Sequence, residues 1–383
     1  MARIKRNMQI GLVGMTLAFC TATQAGIIAR DAVFPVDFTE DGLTDDQLRI
    51  GFNGVEGGVI VNSLAGPTTL STNYSGSVAA VLGQGGSEGG LAVTGNGSLG
   101  SAEVDFSGKS VFAGLGAGST GLLNVTNGGS TKFENINAGA NGGTGIIAAV
   151  GYFGDSNQTV IDVADQISLG RSSGGFGIIR LENSTLRAGG GTVAGESDGS
   201  GAARIELNQG SRFQSLFLDL NPNTFLFGNG GTLQGALFGL GGTIAPGLSP
   251  GNLTVDGTAD LRTGVLELEW DGLSAFDIFT VTEKILLGKD FQINLTLGAL
   301  PTGILDLNQF LITPEISLQG FSFFENFSVS YGSGITSGVT QIAFNGAVRS
   351  FEAKASVSEP SLLALLSLGL IGLNFARRRH LRA

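Results

Sequence analysis

The sequence predicts an all-β chain: a right-handed parallel β-helix or solenoid with a β-rich C-terminal cap, followed by a single C-terminal transmembrane helix. Three observations carry this expectation. Short apolar strands recur with the same polar ending. Glycine punctuates them, at 64 of 383 residues, more than twice the usual ~7%. No stretch of the body shows a helical period. Only eight prolines are present, which excludes a collagen-like chain. An antiparallel β-sandwich is the alternative, since it too is built from short strands at about 8–12-residue spacing.

The recurring phrase is an alternating strand, then Asn or Gly, then Ser or Thr. Leu91-Ala92-Val93 leads to Gly97-Ser98, Leu123-Asn124-Val125 to Gly129-Ser130, and Ile179-Arg180-Leu181 to Asn183-Ser184. Ile205-Glu206-Leu207 leads to Gly210-Ser211, and Leu253-Thr254-Val255 to Gly257-Thr258. Apolar residues two apart share one sheet face, so each phrase buries one side of a strand and then turns. The phrases stand about 32, 56, 26 and 48 residues apart, several of these being one or two multiples of a unit of about 24–30 residues, a solenoid-sized repeat. Val160-Ile161-Asp162-Val163 and Ile167-Ser168-Leu169 fill the longest gap.

Taken in order, residues 1–25 read as a secretory signal peptide. Arg3, Lys5 and Arg6 form its basic start, residues 10–20 its apolar segment, and Thr23-Gln24-Ala25 its cleavage site after Ala25. A lipoprotein signal ending at Cys20 competes, although the bulky Phe19 stands where a small residue belongs. Residues 26–54 are acidic and suit an N-terminal cap. Residues 55–282 form the repeat body. Over 283–350 glycine thins and apolar runs lengthen, as in Phe291-Gln292-Ile293-Asn294-Leu295-Thr296-Leu297, which suits a cap over the open sheet edge. Residues 351–358 form a polar linker and 359–383 a tail.

The tail carries an address. Residues 361–376 are uncharged, about 24 Å of helix at 1.5 Å per residue, slightly short of the ~20 residues of a full span. Arg377, Arg378 and Arg379 follow and suit the cytoplasmic headgroups. Pro360 holds Glu359 extended just outside the membrane. A plain membrane anchor or a buried core helix would share parts of this pattern. The segment resembles the PEP-CTERM sorting signal of exopolysaccharide-producing Gram-negative bacteria, a Val-Pro-Glu-Pro motif, a short apolar helix and an Arg cluster. Val357, Glu359, Pro360 and Arg377 to Arg379 match, and Ser358 stands where the first Pro would be. The resemblance implies handling by signal peptidase and an exosortase, cleavage near Pro360, passage through the inner membrane, and arrival at the outer surface or extracellular matrix.

A second phrase runs Gly242-Thr243-Ile244-Ala245-Pro246-Gly247-Leu248-Ser249-Pro250-Gly251-Asn252-Leu253-Thr254-Val255. Its two Pro-Gly steps set tight turns before a strand. It resembles the Pro-Gly-x-Ser-Pro-Gly-x-Leu-x-Val segment of autotransporter passenger β-helices. The later strands of that pattern are matched by Val265-Leu266-Glu267-Leu268-Glu269-Trp270 and Phe276-Asp277-Ile278-Phe279-Thr280-Val281. What this implies is an exported, elongated β-helix.

Composition narrows the chemistry. Cys20 and His380, the only Cys and His, both lie in the targeting segments. The body between them therefore lacks Ser-His-Asp and Cys-His catalysis, His- or Cys-based zinc sites and disulfides. It carries 14 Lys and Arg against 32 Asp and Glu, a net charge of −18, which repels nucleic acid. The remaining candidate acids are the pair Glu267 and Glu269, the pair Asp162 and Asp165, and the acidic runs at 41–46 and 195–201. No catalytic, metal or cofactor residue is singled out, and no cofactor is required; the acidic runs leave room for calcium. Eight Asn-x-Ser/Thr triplets occur, Asn124, Asn183 and Asn294 among them. The function expected is a structural or adhesive role associated with extracellular polysaccharide. A polysaccharide lyase or glycoside hydrolase on the same scaffold is the alternative, and a simple sugar-binding module a third.

Overall fold

The structure, a computed structural model, describes residues 26–34, 43–44, 46–63, 66–96, 101–152, 158–247, 251–272, 275–332, 335 and 337–354. The segment ending at Ala25 and the sorting residues Val357, Ser358, Glu359, Pro360, Arg377, Arg378 and Arg379 lie outside these. Among the described residues no helix is long and apolar enough to cross a membrane; the expected span at 361–376 lies outside them.

The chain is all-β, and its 28-stranded main sheet is mostly parallel and consistent with a β-solenoid. Parallel pairs at such sequence separations exclude an antiparallel sandwich for the body. The pairs join into three columns, which the chain visits in the same order turn after turn. The first column is traced by one inward row: Val59, Leu91, Leu123, Ile147, Ile179, Ile205, Leu226, Ile244, Leu266, Ile293 and Phe327, each opposite the next. All eleven are buried. Burying one such side chain contributes about 1.5–3 kcal/mol. Strict alternation places them inside, as in Thr120–Thr126 and Thr144–Val150, where every second residue is buried.

Four of the five phrases, those at Leu91, Leu123, Ile179 and Ile205, stack in this row. Ile147 splits the long gap between Leu123 and Ile179 into two turns. Leu253 belongs to the second column, where it pairs with Gly231 and Phe279. Its spacing from Ile205 is therefore not a multiple of the turn. Turn length varies along the first-column row. The step from Leu226 to Ile244 is the shortest and that from Ile293 to Phe327 the longest, because corner loops absorb the variation.

The second column has its own inward row, Leu70, Val104, Thr131, Ile161, Leu186, Phe213, Leu233, Val255 and Val281. Thr131 is its one polar member, and its buried hydroxyl has no hydrogen-bond partner.

Glycine has a defined place at the corner leading into the first column. Gly51, Gly83, Gly114, Gly139 and Gly170 sit there in successive turns, with φ between +61° and +72°. At Gly114 an added Cβ would lie 2.0 Å from the Thr144 carbonyl oxygen of the next turn, so only glycine lets the two backbones approach. Serines tie the same corner across turns: Ser87 Oγ accepts from the Gly54 N–H (2.8 Å) and Ser119 Oγ from the Gly86 N–H (3.0 Å).

At the N-terminal end, Gly26–Asp31 pairs antiparallel with Gly57–Asn62 and occupies the free edge of the first column. At the other end parallel pairing continues past residue 283. Lys284–Leu297 lies on Thr258–Trp270, and Phe327–Tyr331 on Lys284–Leu297. A three-stranded sheet of Ile304–Asp306, Ser337–Phe344 and Ala347–Lys354 follows. It meets the last turn through a cluster of Phe321, Phe323, Phe327, Phe344 and Phe351, and the Tyr331 hydroxyl donates to the Phe351 carbonyl (2.9 Å).

Candidate functional site

The acids singled out in the sequence are dispersed. Asp162 points outward from Thr159–Val163 and pairs with Arg187 (3.5 Å). Asp165 sits at the following corner, where its backbone carbonyl accepts from the Gly190 N–H (2.8 Å). In the 195–201 run, Glu196 accepts from the Ser172 N–H (3.0 Å) and lies 3.8 Å from Arg171, while Asp198 accepts from the Ser200 N–H (2.8 Å). The hydrogen bonds of Ser200 hold the Asp198 carboxyl below its usual value. Asp41 lies outside the described residues. Among the described residues no group of three or more His, Cys, Asp or Glu is placed to hold a metal ion.

Glu267 and Glu269 do share one outward face of Thr258–Trp270. Desolvation, and then the Glu269 charge, raise the Glu267 carboxyl above its ordinary range. Neither makes an ion pair among those described.

The acid with the most altered environment is Asp277, which the sequence offered only as part of a strand. It is 1% exposed. Its Oδ1 accepts from the Gly251 N–H (2.8 Å) and its Oδ2 from the Glu269 N–H (2.9 Å). Burial, and secondarily the Glu269 charge, push its carboxyl up to about 6 against these two hydrogen bonds. With both oxygens committed to backbone, Asp277 is a brace that ties the turn before Asn252–Asp256 to Thr258–Trp270.

The second column presents a continuous outward polar row. Asp105, Lys132, Asp162, Arg187, Gln214, Gln234 and Asp256 stand opposite one another in register. Lys132 reaches Glu103 (2.6 Å), Arg187 Nε donates to Gln214 (3.0 Å), Gln214 to Gln234, and Gln234 to Asp256 (3.0 Å). The Glu103 carboxylate, as hydrogen-bond acceptor and as charge, raises the Lys132 ammonium above its ordinary value. The row answers its own charges.

The outward face of the first column differs. There Arg180, Glu206, Phe227 and Ala245 form one row, and Ile178, Arg204, Phe225, Thr243, Val265 and Gln292 the next. Phe225 and Phe227 lie two apart on Thr224–Asn229, their rings nearly parallel at 13° with centroids 6.0 Å apart. Phe225 is 43% exposed. The Arg204 guanidinium sits 4.4 Å from the Phe227 ring centroid, a cation–π geometry, and donates to Glu206 (2.5 Å). Arg180 approaches the same carboxylate at 3.8 Å. Further along, Ser328 Oγ donates to Asn294 Oδ1 (2.6 Å).

No family model, curated protein or solved structure matches this chain.

The sequence reading did not single out this aromatic face. Its signal is Thr224-Phe225-Leu226-Phe227-Gly228: Leu226 is the inward residue, so alternation sends both phenylalanines outward. They lie where the turns are shortest, in the steps from Ile205 to Leu226 and from Leu226 to Ile244.

Proposed function

We propose that this chain is an exported, non-enzymatic protein that displays the outer faces of a right-handed parallel β-helix to extracellular polysaccharide. The residues that carry the reading are Val357, Ser358, Glu359, Pro360, Arg377, Arg378 and Arg379, with their resemblance to an exosortase sorting signal. In this reading residues 1–25 are removed after Ala25 by signal peptidase. The uncharged segment 361–376 holds the precursor in the inner membrane until exosortase acts near Pro360. The antiparallel Gly26–Asp31 and the three-stranded sheet serve as caps, preventing edge-to-edge growth of the solenoid.

Three further features support it. The body has no Cys for a disulfide, so its rigidity comes from burial and backbone ladders, as an exported stack requires. Asp162 and Glu196 are partnered by surface arginines, and Asp277 braces the backbone. The outward rows stay in register turn by turn, which suits contact with a linear polymer. Fractionation tests the reading. In the producing cells the protein is expected with the extracellular polysaccharide, and deleting the exosortase is expected to leave it in the inner-membrane fraction. Unchanged distribution in the deletion strain would contradict the sorting step.

A further inference from the structure

The most distinctive outer surface is the aromatic face of the first column, and its chemistry selects among polymers. We infer that Phe225 and Phe227, bordered by Arg180, Arg204 and Glu206, bind a strand of uncharged polysaccharide laid across the turns. This rests on the display reading above and names the site and ligand class for it.

The geometry points to a sugar polymer for three reasons. A sugar ring has an apolar C–H face and a rim of hydroxyls. Two near-parallel rings 6.0 Å apart offer the apolar contact, and the Arg204–Glu206 pair beside them offers planar donors and acceptors already held in place. Neighbouring strands repeat at about 4.7–4.9 Å. Beyond Phe225 the same row places Thr243, the apolar Val265 and then Gln292, with Asn294 two residues along the last strand, so polar groups recur beside apolar ones along the path. The surface is an open sheet rather than a pocket, which fits an extended chain and not a small metabolite.

Charge decides which polymer. Arg180 and Arg204 are both engaged by Glu206. Glu182, Glu267 and Glu269 on the same face have no cation paired with them among the described ion pairs, so the face as a whole is negative. A uronate chain would meet uncompensated carboxylates at close range, whereas an uncharged glycan would meet none of its own sign.

The test is affinity electrophoresis of the full chain in mild non-ionic detergent, in gels containing a soluble β-glucan, a galactomannan or alginate. The expected result is retardation by at least one uncharged polymer and none by alginate. Phe225→Ala with Phe227→Ala is expected to weaken retardation at least tenfold with an unchanged circular dichroism spectrum. Leu216→Ala, which removes a 64% exposed side chain elsewhere, is expected to leave it unchanged. Glu267→Gln with Glu269→Gln is expected to admit alginate. Retardation that survives the double Phe substitution overturns the site and leaves the display reading standing, as does retardation by alginate alone. Retardation in no gel overturns both. A dimer in sedimentation that the Phe substitutions dissociate assigns the rings to a second copy and also overturns the site.

Discussion

Replacing Gly114 by alanine separates two costs that usually arrive together. Gly114 and Gly118 have almost the same backbone, with φ of +69° and +72°. Alanine at either position meets the left-handed penalty of about 1–2 kcal/mol. At Gly118 the nearest atom to an added Cβ is the Gly86 Cα at 3.9 Å, an ordinary contact. At Gly114 the Cβ would sit 2.0 Å from the Thr144 oxygen and 2.4 Å from its carbonyl carbon. Both are backbone atoms of the next turn, so relief requires the turns to part. Overpacking of this kind adds about 1–3 kcal/mol, for a total of about 2–5 kcal/mol against about 1–2 kcal/mol at Gly118. Urea unfolding of the two variants beside the wild type measures the difference. Equal destabilisation by Gly114→Ala and Gly118→Ala would refute the close stacking of turns at this corner.

Thr131→Val removes an orphaned hydroxyl from an otherwise apolar row at nearly constant volume. It is expected to stabilise the fold by about 1 kcal/mol, read as a higher urea midpoint; a loss of stability would mean that the hydroxyl is satisfied. Asp277 makes stability depend on pH in a defined direction. Its carboxyl rises from 3.8 in the unfolded chain to about 6 in the fold. Its contribution is therefore complete below pH 4 and is lost as pH rises through 6, by at most about 3 kcal/mol at ~1.36 kcal/mol per pH unit. Asp277→Asn is expected to abolish this slope between pH 4 and 7 while lowering stability at pH 4, because an amide nitrogen cannot accept from the Gly251 or Glu269 N–H. A wild type and variant with parallel pH profiles would contradict the assignment. Arg187→Ala breaks an exposed pair with Asp162 and is expected to cost no more than about 1 kcal/mol, with the cost shrinking in high salt.

The stacking of Leu91, Leu123, Ile179 and Ile205 was legible because alternation with a polar ending survives in each strand. Ile147 escaped because Gly145-Ile146-Ile147-Ala148-Ala149-Val150 is a continuous apolar run, whose outward members hide the period. Leu253 misled for the converse reason, since its phrase has the same ending but stands in another column. Turn length could not be read as a constant, because corners differ while the inward rows stay in register. The change in composition at 283 does not end the stack: Lys284–Leu297, at 14 residues, is no longer than Ala102–Leu115 or Gly231–Ala245, and it continues the same parallel sheet. The glycine abundance was visible, but its cause was not: Gly51, Gly83, Gly114, Gly139 and Gly170 line one corner, where backbones approach across successive turns that are remote in the chain. The candidate site was the least legible part. Phe225 and Phe227 look like core beside Leu226 until the inward row is known, and the brace made by Asp277 depends on partners 8 and 26 residues away.

Intact-mass spectrometry of the protein recovered from the extracellular polysaccharide of the producing cells tests the central claim most directly. A chain beginning at Gly26 and ending near Pro360 is the result predicted for an exported protein sorted and released by exosortase. A chain recovered only from the inner membrane, with Arg377, Arg378 and Arg379 still attached, would contradict it.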